Sequence, residues 1–191
     1  MVLQDVTLPV RAEPFILAWP SDGQAGGFLQ FDYPDQWRAF IDSLGIHPVI
    51  PAIVTGKFAR AQALYLLGWF DVGLIKAGEL AALVTLELAL TDRYGGAFKK
   101  KRSFSALLKH MVAVDGLTDA DIPMIVRCGG TAVGQLIGEV RPTLAERRNS
   151  LVHGDPFEGW PTAGLLELAR DLINFAYRRY IAEVVAAGVA S

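Results

Sequence analysis

Residues 146–156 read Glu-Arg-Arg-Asn-Ser-Leu-Val-His-Gly-Asp-Pro. Two arginines, Arg147 and Arg148, an amide, Asn149, and His153, one of only 3 histidines, fall close together here. An imidazole titrates near neutral pH and can take or give a proton during a reaction. A guanidinium stays charged and holds two oxygens of an anion at once. The set therefore suits proton transfer beside a developing negative charge, with His153 moving the proton and Arg148 holding the charge. Asn149 would orient either partner or hydrogen-bond a phosphate. Arg147 offers the same chemistry one residue earlier, and spacing does not separate the two arginines.

No other chemistry competes in the pattern. A single cysteine, Cys128, leaves no internal disulfide and no cysteine-based metal cluster, and it has no base near it in sequence. His47, His110 and His153 are too scattered for metal-ligand spacing, so neither a metal nor a cofactor is expected. There is no Gly-x-Ser-x-Gly elbow. The glycine cluster Gly129-Gly130-Thr131-Ala132-Val133-Gly134 lacks both a preceding strand and a following Lys-Ser/Thr, which argues against a phosphate-cradling loop.

The elements around the motif decide whether its residues can meet. Thr143-Leu144-Ala145-Glu146 matches a capping box and starts a helix, while Gly154 and Pro156 are stop signals. Five residues of α-helix turn about 500°, so Arg148 and His153 would point roughly 140° apart on a continuous helix. Asn149 and His153 would then share a face. A helix ending near Val152 would ease the conflict. A structural role competes with the chemical one. Arg148 shares a stripe with Leu144 and Leu151, and Glu87, flanked by Leu86 and Leu88, is its natural ion-pair partner because a buried carboxylate is costly unless paired. His153 near a helix C-terminus is favourable through the helix dipole alone.

The remainder reads as mainly α. Val2–Val10, Pro14–Trp19 and Gly27–Tyr33 suit two or three short strands, followed by a helix over Gln36–Leu44 and an extended connector over His47–Ile53. From Lys57 the period is helical: Phe58–Phe70 and Leu74–Tyr94 as one kinked helix or two, then Ser103–Val114, Thr118–Val126, Thr131–Ile137, the motif helix, and a last helix from Thr162 to about Ala187. In that last helix Leu165, Leu168, Ala169, Leu172, Ala176, Tyr180 and Val184 form the apolar stripe, with Glu167 and Asp171 off it. The expected division is a small β-containing segment, 1–56, and an up-and-down helical bundle, 57–191. The four tryptophans are expected as core or interface anchors.

With 191 residues, 52% hydrophobic and 20% charged, the chain suits one globular domain, and its apolar runs fall short of the roughly 20 residues of a membrane span. A soluble, cytoplasmic protein is expected, since the N-terminus lacks the marks of a secretory signal. The net charge of −2 leaves nucleic-acid affinity to local clusters. Lys99, Lys100, Lys101 and Arg102, between Phe98 and Phe104, are the one basic run. They read either as phosphate contacts or as a solvated loop.

Arg148-Asn149-Ser150-Leu151-Val152-His153 has the form R-N-x-x-x-H and resembles the signature of the HEPN (higher eukaryotes and prokaryotes nucleotide-binding) superfamily. The placement before a final long helix fits that likeness. So does the Leu/Ala-rich stretch Ala77–Tyr94 with its embedded glutamate. The resemblance covers roughly residues 57–187 and leaves the N-terminal segment outside it. It implies a helical bundle that dimerises and acts as a metal-independent endoribonuclease of a toxin–antitoxin or phage-defence type, with a cognate antitoxin or other partner protein. Arg148 and His153 would be the catalytic pair, supported by Asn149, in a cleft shared by two protomers. The same likeness also implies the alternative of a non-catalytic module binding a nucleotide, RNA or protein.

Overall fold

The computed structural model describes residues 6–100, 102–154 and 161–189, the side chains of residues 188 and 189 excepted. Among them the fold is mainly α, with a two-stranded antiparallel hairpin, β1 (Phe15–Ala18) and β2 (Phe28–Phe31), ahead of eight helices. These are α1 (Pro34–Ser43), α2 (Ala52–Leu67), α3 (Gly73–Tyr94), α4 (Phe104–Ala113), α5 (Pro123–Cys128), α6 (Val133–Ile137), α7 (Leu144–Val152) and α8 (Leu165–Val189). No helix among the described residues is long and apolar enough to cross a membrane.

The hairpin pairs Phe15 with Phe31 and Leu17 with Leu29. Its inward rings meet Trp37 and Trp69, with Phe15 and Phe31 each 5.0 Å from Trp37. Of the strand expected over Val2–Val10, residues 2–5 lie outside the described residues and residues 6–10 are irregular. The carbonyl oxygens here are taken by side chains instead of a ladder: Arg38 donates to Val6 and the Trp69 indole to Pro9. One continuous apolar core joins the hairpin to the helices.

α2 begins at Ala52, earlier than the expected Lys57, and α2 and α3 are separate helices. They cross closely at Gly78, where a Cβ would stand 2.6 Å from the buried Tyr65 ring. The helix expected over Thr118–Val126 is broken in two. A 3-10 turn, Asp119–Asp121, is followed by α5, because Pro123 holds Ile122 extended at φ −106°. Asp119 then reaches across to accept from the Thr131 hydroxyl and the Ala132 and Val133 amides, capping α6 from a distance. The caps at Ser103 and Thr143 form as expected.

α8 starts three residues after Thr162, since Gly164 takes a left-handed φ of +70°. Its first turns are enclosed on more than one face: Leu166, Ile173 and Tyr177 are buried together with Leu165, Leu168, Ala169, Leu172 and Ala176 of the expected stripe, whereas Tyr180 is half-buried and Val184, beyond the enclosed turns, is exposed. Glu167 and Asp171, read as off-stripe, are also buried. They escape the usual cost because each is hydrogen-bonded, Glu167 to Trp19 and Arg127, Asp171 to the Met124 amide. Trp19, Trp37 and Trp69 are core anchors. Trp160 lies outside the described residues.

The close crossing is testable. Gly78→Ala gains helix propensity of about 1 kcal/mol but forces the Tyr65 ring to move in a filled core, a cost of about 1–3 kcal/mol. Net destabilisation in denaturant unfolding is the expected outcome, and a stabilised variant would show that the helices stand further apart.

Candidate functional site

The motif lies on α7. Thr143 accepts from the Glu146 amide at 3.1 Å while the Glu146 carboxylate accepts from the Thr143 amide at 2.9 Å, closing the capping box. At the other end His153 is the C-cap, and Gly154 stops the helix at φ +73°, a conformation that favours glycine. Pro156 lies outside the described residues. The helix does end at Val152, but this does not turn His153 towards Arg148. The His153 amide still donates to the Asn149 carbonyl at 3.0 Å, so its Cα follows the helical path.

Arg148 points inward. Its Nη2 donates to Glu87 Oε1 at 2.8 Å and stands 2.7 Å from Oε2, tying α7 to α3. The two side chains are 22% and 27% exposed. The guanidinium carbon lies 5.8 Å from the centre of the Phe104 ring, at the start of α4. His153 and Asn149 are exposed. Within the chain, therefore, the structure brings Arg148 to Glu87, and His153 faces solvent with Asn149 a turn below it.

Arg147 is rotated about 100° from Arg148 and serves a different place. It donates to the Thr162 hydroxyl at 3.2 Å, and its Nε is buried with no hydrogen-bond partner among the described residues. It lines a cavity of about 560 Å³ with Lys76 and Glu79 of α3, Arg141, Pro142 and Glu146 ahead of and within the first turn of α7, and Ser150, Leu151 and Thr162. The volume lies inside the roughly 300–1,000 Å³ of small-molecule sites.

Glu79 is the innermost charge, only 1% exposed. It accepts from the Thr162 amide, and Lys76 Nζ stands 3.6 Å from its Oε2. Burial pushes its pKa above the ordinary carboxylate value, while Lys76, Thr162 and Arg147 pull against that rise. Three cations thus face two carboxylates around the cavity, and burial disfavours the charge on one of those two. Anions gain most from such a balance, and a perturbed acid in a cleft is a mark of functional sites.

The basic loop is separate. Lys99, Lys100 and Arg102 edge a smaller cavity of about 290 Å³ with Phe98, Thr91 and Leu107, and Arg102 stacks 5.3 Å from the Phe98 ring. Lys101 lies outside the described residues. No group of three or more His, Cys, Asp or Glu among the described residues is placed to hold a metal ion. His110 packs between Tyr94 and Phe98, and the His47 amide is held by the Asn174 side chain.

Sequence reading passed over Glu79, Lys76, Arg141 and Thr162. One signal was present: Glu79 precedes Glu87 by two helical turns on the same apolar helix, so both carboxylates face α7. The chain matches no family model, no curated protein and no solved structure.

The ion pair can be isolated by a double-mutant cycle. Arg148→Ala and Glu87→Ala each lower stability in urea, and their coupling reaches about 1 kcal/mol or more. A coupling near zero would leave Arg148 without a structural role.

Proposed function

We propose that this protein is a non-catalytic helical binding module whose ligand is a small phosphate-bearing molecule held by Lys76, Arg141 and Arg147. The observation that carries the reading is the cavity itself, where three cations, Lys76, Arg141 and Arg147, face two carboxylates, Glu79 and Glu146. The Arg147 guanidinium, which lines the cavity, would bind a phosphate oxygen there through charge-assisted hydrogen bonds. Of the two motif arginines, Arg147 is the one that lines the cavity, whereas Arg148 is turned to Glu87.

A second reading follows from the HEPN likeness: a metal-independent endoribonuclease whose cleft is built from two copies of the chain. It draws on one observation, that Asn149 and His153 are both exposed and one turn apart on α7. It requires a partner protomer to complete the site and requires Arg148 to release Glu87. RNA degraded in excess chelator by the wild type, but by neither Arg148→Ala nor His153→Ala, would favour it over the binding module.

The leading reading is tested by thermal unfolding of the full chain against a panel of phosphate monoesters. A ligand present at 100 times its Kd stabilises by about 2.7 kcal/mol, which raises Tm by several degrees. Arg147→Gln abolishes that rise, whereas Arg148→Gln lowers the starting Tm and retains the rise. No ligand-dependent shift with any phosphate-bearing compound would sink the reading.

A further inference from the structure

The depth of the charges in this cavity is uneven. Arg141 is 79% exposed at the rim, whereas Glu79 is almost fully buried and lines the floor. A site for a bare anion would place no carboxylate at its innermost point, because like charges repel. The walls also include the apolar side chains of Leu151 and Pro142, and the volume exceeds what an inorganic ion fills.

Each Glu79 oxygen has a different occupation. Oε1 takes the Thr162 amide, which fixes the carboxylate's orientation. Oε2 lies 3.6 Å from Lys76 Nζ, close enough for charge attraction but too long for a hydrogen bond. The Thr162 side chain also hydrogen-bonds this carboxylate; because an ionised carboxylate accepts about four hydrogen bonds, Glu79, which lines the cavity, keeps capacity for a further donor. That donor must be neutral. An ammonium group on the ligand would stand beside Lys76 and Arg147 and be repelled.

We infer that Glu79 selects phosphate monoesters that carry hydroxyl groups, with Lys76, Arg141 and Arg147 taking the phosphate and the Glu79 carboxylate accepting from a ligand hydroxyl. This rests on the phosphate-ligand reading above and narrows it to the chemistry shared by sugar phosphates and nucleotides. Leu151 and Pro142 would lie against the ligand's carbon frame. Thr162, bonded to both Glu79 and Arg147, would hold the acid and the cation at a fixed separation.

The test is isothermal titration calorimetry of the full chain with four probes: ribose 5-phosphate, adenosine 5′-monophosphate, phenyl phosphate, which has no hydroxyl, and inorganic phosphate. Ribose 5-phosphate binds about tenfold or more tightly than phenyl phosphate, the worth of one hydrogen bond to a charged group. Adenosine 5′-monophosphate binding more tightly still identifies a nucleotide, and binding less tightly identifies a sugar phosphate; both support the inference. Glu79→Gln keeps a carbonyl oxygen for the Thr162 amide, so it lowers the preference at least threefold while phenyl phosphate binds no worse.

Phenyl phosphate binding as well as ribose 5-phosphate to the wild type would overturn the selection by Glu79 and leave the phosphate site standing. The same comparison decides the matter if Glu79→Gln fails to fold. No binding of any probe would overturn the phosphate site as well.

Discussion

A carboxylate buried in an apolar core is tolerated only where donors surround it, and Glu167 of α8, at 5% exposure, imposes that condition on three parts of the chain. The Trp19 indole reaches it from the end of the hairpin at 2.9 Å. Arg127 of α5 binds both its oxygens, at 3.0 and 2.9 Å, and Arg170 adds a bond at 3.2 Å. One turn later Asp171 takes the Met124 amide at 2.8 Å and so satisfies a free donor in the first turn of α5. Hydrophobic area alone would let the hairpin and α5 slide over α8. These directional bonds leave one arrangement in which no buried charge is orphaned.

The same logic recurs on α3, and it produces the candidate site. Glu87 is answered by Arg148 of α7, and Glu79 by Lys76 and Thr162 with Arg147 near it. Because neighbours on a helix diverge by about 100°, Arg148 closes one pairing and Arg147 is left beside the cavity. A structural bond and an open site thus come from a single dipeptide.

Local chemistry was legible in the sequence. Ser103 and Thr143 act within three residues of themselves, and the Gly154 stop needs only its own φ, so each appears where the pattern puts it. Glu87 as the partner of Arg148 was also readable, since a lone acid between leucines demands a cation. What spacing hides is any bond spanning much of the chain. Trp19 with Glu167, or Thr162 with Glu79, joins residues with no common period, and Glu167 therefore reads as a solvent-facing residue when it is a core one. The break at Pro123 was written in the sequence, but the competing periodicity of Thr118–Val126 masked it. Arg147 and Arg148 were indistinguishable because only the angular position of α3 around α7 separates them.

That angular dependence bears on how the gene for this chain can change. Insertion of one codon between Thr143 and Arg147 would roll the helix by about 100° relative to its cap, turning Arg147 out of the cavity and Arg148 to the exposed angle of Asn149, while loss of one would turn Arg148 away from Glu87 and Arg147 to the exposed angle of Glu146. Substitutions along the exposed face, at Asn149 or Val152, leave that phasing intact. The segment is thus open to changes of residue type and closed to changes of length.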